Sequence, residues 1–216
     1  MVDITADYFD EDYYEKGTKS NYKNYGDFPF FKDFAYFVWR RFLPREVLEV
    51  GCAKGFIIKW MSRLCDNAVG IDISKYAIDN VPEEISHLFH CIDFSEKDLM
   101  FVENNSFDLV ICLETIEHVP EDKMEQFITN LYDCTDEWCI VSTPIVPKDH
   151  APNDDGLDRS HVSLHDVDYW CNAFKKAGFE FLGCENWNIP KVENFNVEGK
   201  EDDFWLIKNV MVMRKK

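Results

Sequence analysis

The 216-residue sequence predicts an α/β fold: a three-layer sandwich around a seven-stranded, mostly parallel sheet with an antiparallel C-terminal hairpin. Three observations point there. Between residues 46 and 142, short apolar runs alternate with stretches of helical period, as buried parallel strands and their crossover helices do. The first apolar run, Glu46–Val50, ends at Gly51 and is followed at once by a helical stretch. Finally, two late apolar runs are joined by a long acidic segment, which reads as a hairpin rather than another crossover.

The elements follow in order. Residues 1–45 are dense in aromatic side chains, and from Phe31 to Phe42 the apolar positions recur at helical spacing until Pro44 stops them. Tyr13 to Tyr25 is interrupted by polar residues and reads as a loop or lid, so 1–45 is expected to form a lid and helix packed on a core built by 46–216. Glu46–Val50 is the first strand, and a helix is expected from about Phe56 to Leu64. Ala68–Ile73 is the second strand, followed by Ser74, a good helix N-cap. His87–Ile92 and Phe107–Leu113 are the third and fourth strands. Met124, Phe127, Ile128 and Leu131 fall on one face of a helix over Asp122–Tyr132, and Trp138–Ser142 is the fifth strand. Pro147 to Arg159 is a polar insertion. Ser163-Leu164-His165-Asp166 reads as a capping box for a helix running to Ala177 and closed by Gly178. Tyr169, Trp170 and Phe174 on that helix read as core. Phe179–Asn186 and Phe204–Met213 are the closing strands.

Charge narrows the partners. With 23 Lys plus Arg against 41 Asp plus Glu, the formal net charge is −18, which argues against a surface that tracks nucleic-acid phosphates. No apolar run is long enough to cross a bilayer, and the acidic stretch Met1–Asp12 does not resemble a secretion signal. Cys52, Cys91, Cys112 and Cys139 lie in or beside apolar runs and no CxxC pair occurs, so the cysteines are expected to be reduced, small core side chains. The expectation is a cytoplasmic protein, monomeric or homodimeric, that acts on a small molecule and not on membrane or nucleic acid.

Two local features bear on chemistry. In Val47–Phe56 a strand enters a turn holding Gly51 and Gly55 and then a helix, which presents backbone N–H groups to a ligand at the carboxyl edge of a sheet. About 20 residues on, Asp72 closes the second strand, the separation expected of an acid that holds a ribose. The turn lacks the G-x-G-x-x-G spacing of dinucleotide enzymes.

The ordered stretches Glu49-Val50-Gly51-Cys52-Ala53-Lys54-Gly55, Gly70-Ile71-Asp72-Ile73-Ser74, His90-Cys91-Ile92-Asp93-Phe94 and Phe107–Glu114 resemble the motifs of class I S-adenosylmethionine-dependent methyltransferases, whose fold is Rossmann-like. The resemblance covers residues 44–187 and implies S-adenosylmethionine as cofactor and S-adenosylhomocysteine as product. It implies that Glu49, Gly51 and Gly55 line the methionine end, that Asp72 accepts the ribose hydroxyls, and that Ile73 packs on adenine. Asp93 would accept the adenine amino group, Phe94 would offer a backbone contact, and Ala53 and Leu113 would complete the cofactor surface. Ala53 stands where the family usually has a glycine; the turn survives if Ala53 keeps a negative φ, and otherwise cofactor affinity is expected to suffer.

Glu114, Glu117 and His118 then fall within one helical turn of each other, close to the implied methyl group, and His161 follows the insertion. One reading makes His118 or His161 a general base for a hydroxyl acceptor, with Glu114 beside them. The other gathers Glu114, Glu117, His118 and His161 around a divalent metal, similar to small-RNA and quinone-ring O-methyltransferases; a metal could sit there, though none is expected. Asp158-Arg159-Ser160-His161-Val162 with Asp168-Tyr169-Trp170 resembles saccharide and natural-product O-methyltransferases, which implies a sugar-like acceptor. N- or C-methylation, or a cofactor-binding partner without chemistry, are the rival readings.

Overall fold

The computed structural model describes residues 4–101, 106–147, 158–191 and 204–216. Among these, seven strands form one sheet in the order β3-β2-β1-β4-β5-β7-β6. They are β1 (Glu46–Val50), β2 (Asn67–Asp72), β3 (Phe89–Cys91), β4 (Phe107–Leu113), β5 (Thr135–Ser142), β6 (Glu180–Pro190) and β7 (Phe204–Arg214). Strands β1 to β5 pair in parallel, with Val50 beside Ile71 and Leu113 beside Ser142. β7 runs antiparallel between β5 and β6, which is the expected C-terminal hairpin. The acidic segment within Glu193–Asp203 and most of the insertion from Pro147 to Arg159 lie outside the described residues.

Strand alternation divides the core in two. Leu48, Val50, Val110 and Cys112 point to one face, where α5 (Glu121–Cys134) and α6 (Val167–Ala177) supply Phe127, Leu131, Trp170 and Phe174. Val47, Leu109 and Ile111 point to the other, against Phe34 and Val38 of α2 (Pro29–Phe42) and Ile57 and Ile58 of α3 (Phe56–Met61). All of these side chains are buried. Trp170 and Phe174 are core as their spacing predicts, and Tyr169 packs half-buried against that core, stacked on His165. α2 starts on Pro29, whose fixed φ suits a first helical position, and ends where Leu43 turns left-handed at φ 49° before Pro44.

Several expectations shift in detail. The third strand is only Phe89–Cys91, because Glu83–Leu88 coils into 3-10 turns before it. The polar stretch Tyr13–Tyr25 was expected to be loop, yet Asp10 caps a short helix, α1 (Glu11–Glu15), by accepting from the Tyr13 amide. Ser74 does cap α4 (Lys75–Asp79). The cap of α6 is Asp166, not Ser163; the Ser163 hydroxyl instead donates to the Val119 carbonyl at 2.5 Å. No cysteine is paired, and Cys52, Cys112, Cys134 and Cys139 are buried, but Cys91 is exposed at the strand tip. No helix among the described residues is long and apolar enough to cross a membrane.

Candidate functional site

The carboxyl tips of β1, β2 and β3 build one end of a cavity of about 670 Å³. After Val50 the chain must reverse tightly under β2, and the Gly51 and Cys52 amides both donate to the Ile71 carbonyl, at 2.8 and 3.0 Å. Gly51 does this at φ 77° with the Thr115 side chain against it; a Cβ there would come within 2.1 Å of the Thr115 hydroxyl. Gly55, at φ 74°, leaves no room for a Cβ beside the Phe89 ring. Ala53 is also left-handed, at φ 48°. The negative φ expected to be needed is absent, and the turn forms anyway because the Ala53 amide donates to Asp72 Oδ2 at 2.8 Å. A left-handed residue with a Cβ costs about 1–2 kcal/mol, and a hydrogen bond to a charged group offsets about as much.

Asp72 is the centre of this end. It is buried, its Oδ1 accepts from the Ser74 amide at 2.7 Å, and burial pushes its carboxyl up to about 6 against these hydrogen bonds. Asp93 is the opposite case. Burial alone would raise it, but Ser95 and the Lys123 ammonium, 2.9 Å from Oδ2, hold it below the usual carboxylate range. Of the predicted cofactor contacts, Gly51, Ala53, Asp72, Ile73, Asp93, Phe94 and Leu113 line the cavity. Glu49 and Gly55 are not among its walls. Glu49 shares the strand face of Val47 and is buried, with Oε2 unpartnered among the described residues; burial, then Asp72, drives its pKa well up.

At the other end β4 passes into Glu114, left-handed at φ 47°, whose Oε1 accepts from the Ser142 hydroxyl at 2.7 Å. A single 3-10 turn, Ile116–His118, then carries Glu117 and His118. Glu114 and His118 line the cavity and His161 does not; its Nε2 lies 4.0 Å from Glu117 Oε1. The Glu117 carboxyl is fully buried with neither oxygen hydrogen-bonded among the described residues. Burial, with the Glu114 charge second, pushes it well above the usual range. One ligand atom from each of Glu117, His118 and His161 lies within 4.8 Å of the others. Glu114, the fourth residue of the predicted metal set, is outside that cluster.

The N-terminal segment roofs both ends. Phe9, Tyr13, Tyr14, Tyr22 and Tyr25 line the cavity, with Phe9 and Tyr13 edge-on to the His118 ring at 5.5 and 6.3 Å. Lys54, in the glycine turn, is buried and ion-pairs with Glu15 of α1 while donating to the Tyr25 carbonyl at 3.0 Å. The aromatic density of residues 8–25 signalled this roof. Nothing in the sequence flagged Thr115 or Lys123, which act through residues far off in the chain, and although Asp158 opened a stretch the sequence singled out, its bond to Tyr13, 145 residues away, was not foreseen.

Residues 47–137 match the methyltransferase domain family. A ubiquinone biosynthesis O-methyltransferase of Ralstonia nicotianae is 34% identical over 80 residues, 36% of this chain and 34% of that protein. A small RNA 2'-O-methyltransferase of Gallus gallus is 26% identical over 121 residues, 49% of this chain and 32% of that protein. The chain thus spans about a third of the length of the curated relatives it matches. Among solved structures, an S-adenosylmethionine-dependent methyltransferase from Clostridium acetobutylicum superposes with a TM-score of 0.62 at 11% identity, over 88% of this chain and 92% of that one. The chain has the fold of the class I methyltransferases, and the match to the methyltransferase domain family lies over its residues 47–137.

Proposed function

We propose that the chain is an S-adenosylmethionine-dependent O-methyltransferase acting on a hydroxyl of a small polar acceptor, releasing S-adenosylhomocysteine. The observation that carries this reading is one unbroken cavity with buried Asp72 at one end and His118 at the other. Its volume suits a cofactor and a small second molecule. The relatives that act on oxygen favour a hydroxyl acceptor. They lend nothing to the sugar-like acceptor expected from Asp158–Val162, so the reading stops at the hydroxyl.

When bound, S-adenosylmethionine supplies a methyl group on positively charged sulfur, open to in-line attack. Asp72, ionised, accepts the ribose hydroxyls with the lone pairs not given to Ala53 and Ser74. Ile73 packs on adenine and Asp93 accepts its amino group. His118 takes the acceptor's proton as the methyl moves, with the His161 ring packed edge-on against it at 4.9 Å. Phe9 and the tyrosine roof exclude water, so that alignment supplies much of the rate. Domain 46–216 holds this machinery and 1–45 closes it.

A second reading is favoured by the buried Glu117 carboxyl, with neither oxygen hydrogen-bonded among the described residues, close to the two imidazoles. The donor set fits a divalent cation, which Glu117, His118 and His161 would hold, with Glu114 nearby. Such an ion would lower the pKa of the acceptor hydroxyl.

The test is calorimetry with the methyl donor, followed by methyl transfer to panels of hydroxyl and amine acceptors read by mass spectrometry. Donor binding with O-methyl products is the expected result. Methylation of amines alone would move the assignment to N-transfer, and absence of any binding would leave a scaffold. Adding EDTA to the hydroxyl assay, then Mg²⁺ or Mn²⁺, separates the two readings of Glu117.

A further inference from the structure

Two loops of the acceptor end, remote in sequence, are stitched into one unit. The amides of Val162 and Ser163 both donate to the Glu117 carbonyl, at 2.9 and 3.0 Å, and the Ser163 hydroxyl donates to the Val119 carbonyl. The Ser160 carbonyl lies 3.1 Å from Nδ1 of His118. A carbonyl oxygen only accepts, so Nδ1 carries the hydrogen and the lone pair of neutral His118 belongs to Nε2.

The Ser160 carbonyl is aimed by Asp158. This buried carboxylate takes the Ser160 amide at 2.9 Å and the Ser160 hydroxyl at 2.5 Å on Oδ1, which bends residues 158–161 into a tight turn. The same turn sets the His161 ring 4.9 Å from that of His118. On its other oxygen Asp158 accepts the Tyr13 hydroxyl, 3.3 Å away and 145 residues distant in sequence. Tyr13 belongs to α1, the helix that Lys54 and Glu15 pin to the glycine turn.

We infer that Asp158 and Tyr13 are positioning residues for the reaction: through Ser160 they hold His118 in the tautomer whose lone pair is on Nε2, and they tie that orientation to closure of the N-terminal roof. This inference rests on the proposed role of His118. It goes further by naming two residues, Asp158 and the cavity-lining Tyr13, that act on the reaction through His118 and decide whether the imidazole is usable. It also explains why the roof, anchored near the adenosine end, reaches across to the acceptor end. An unroofed site would leave Asp158 without its phenol donor and His118 free to swap tautomers.

The experiment compares Asp158→Ala, Asp158→Asn and Tyr13→Phe with the parent chain, reading kcat, KM, donor affinity and the ¹⁵N spectrum of the His118 ring in metal-free alkaline buffer. The parent should show His118 protonated on Nδ1. Asp158→Ala should mix the tautomers and lower kcat roughly ten- to a hundredfold, with donor affinity changed less than about threefold, within the scatter of a site left intact. Asp158→Asn keeps an acceptor for the Ser160 amide and should recover part of the loss. Tyr13→Phe with Asp158→Ala should cost no more than Asp158→Ala alone, since both lie on one chain of contacts. Should Asp158→Ala fail to fold, Tyr13→Phe keeps the ring in place and carries the ring-spectrum test. A parent His118 protonated on Nε2, parent-like kcat in every variant, or additive costs would overturn the inference. A parent chain that binds no donor would sink the reading of the site, while the ring spectrum would still decide the tautomer.

Discussion

The two ends of the cavity are made in different ways. The end proposed for adenosine comes from consecutive strand tips, and its turn is fixed by neighbours at those tips: Gly51 and Cys52 by Ile71, Ala53 by Asp72, Asp72 by Ser74. The acceptor end is assembled from three distant segments, 4–25, 114–119 and 158–163, joined by hydrogen bonds that span 40 residues or more. Local construction makes an end robust and easily recognised. Remote construction makes an end adjustable, because one segment can be changed while the others keep the cavity. The ends should therefore fail differently when damaged: the first in affinity, the second in turnover.

The largest test of that contrast is His118→Ala. Loss of a general base costs about 10²- to 10⁴-fold in rate, and donor affinity measured by calorimetry should stay near that of the parent, since Asp72 and Asp93 are untouched. A parent-like kcat would remove His118 from the chemistry. Asp72→Ala is the mirror experiment. A single hydrogen bond to a charged group is worth about 1.5–3 kcal/mol, so loss of the two to ribose should lower donor affinity by at least roughly ten- to a hundredfold. Saturating donor should restore most of kcat. An equal fall in kcat at saturation would blur the division between the ends.

The same contrast explains what could be read in advance. The seven strands, the hairpin and the Ser74 cap were legible because apolar alternation and cap chemistry are local. Most of the residues expected at the strand tips do line the cavity, since a strand tip has one direction in which to point. Glu49 was misplaced by that logic: it is one residue short of the tip and faces the buried side with Val47, so it underlies the turn instead of lining the cavity. Ser163 looked like a helix cap, yet a hydroxyl three residues before Asp166 had a buried carbonyl, that of Val119, within reach. Lys123 was invisible because its partners lie in another segment, and of Asp158, named only within its motif, the tie to Tyr13 could not be read for the same reason. Helix α1 was missed because five residues carry too little periodicity to see, and its stability comes from Tyr13 and Tyr14 packing beneath Asp10's cap.

A smaller effect should appear with pH, and only at the adenosine end. The buried Asp72 carboxyl titrates at about 6 instead of its ordinary 3.8. Accepting both ribose hydroxyls needs the ionised form, so below about 6 binding must first expel a proton. Donor affinity measured by calorimetry should therefore fall as pH drops through that value, by at most about tenfold per unit. The sign for folding is the reverse. A raised pKa means that the folded, donor-free chain holds this proton more tightly than the unfolded one, so Asp72 weakens stability as pH rises from 3.8 towards 6. A donor affinity flat across this range would mean that Asp72 stays ionised and that its burial is relieved by something other than the amides of Ala53 and Ser74.

The smallest effect expected is the most specific to this sequence. Ala53 holds φ 48°, a region where a Cβ is penalised, within a turn whose other two left-handed positions, Gly51 and Gly55, are glycines. Ala53→Gly removes that penalty of about 1–2 kcal/mol, while the added backbone freedom of the unfolded chain takes back about 0.4–1 kcal/mol. The net gain is roughly 0.5–1 kcal/mol, read as a rise of a few degrees in Tm for a chain of this length. Donor affinity should change little, because the amide that reaches Asp72 is present in either residue. If Ala53→Gly instead lowered Tm, the methyl group would be contributing packing against the roof residues of its cluster, Tyr13 and Tyr14 among them. The adenosine end would then depend on the N-terminal segment as closely as the acceptor end does, and the contrast between local and remote construction would have to be withdrawn for this turn.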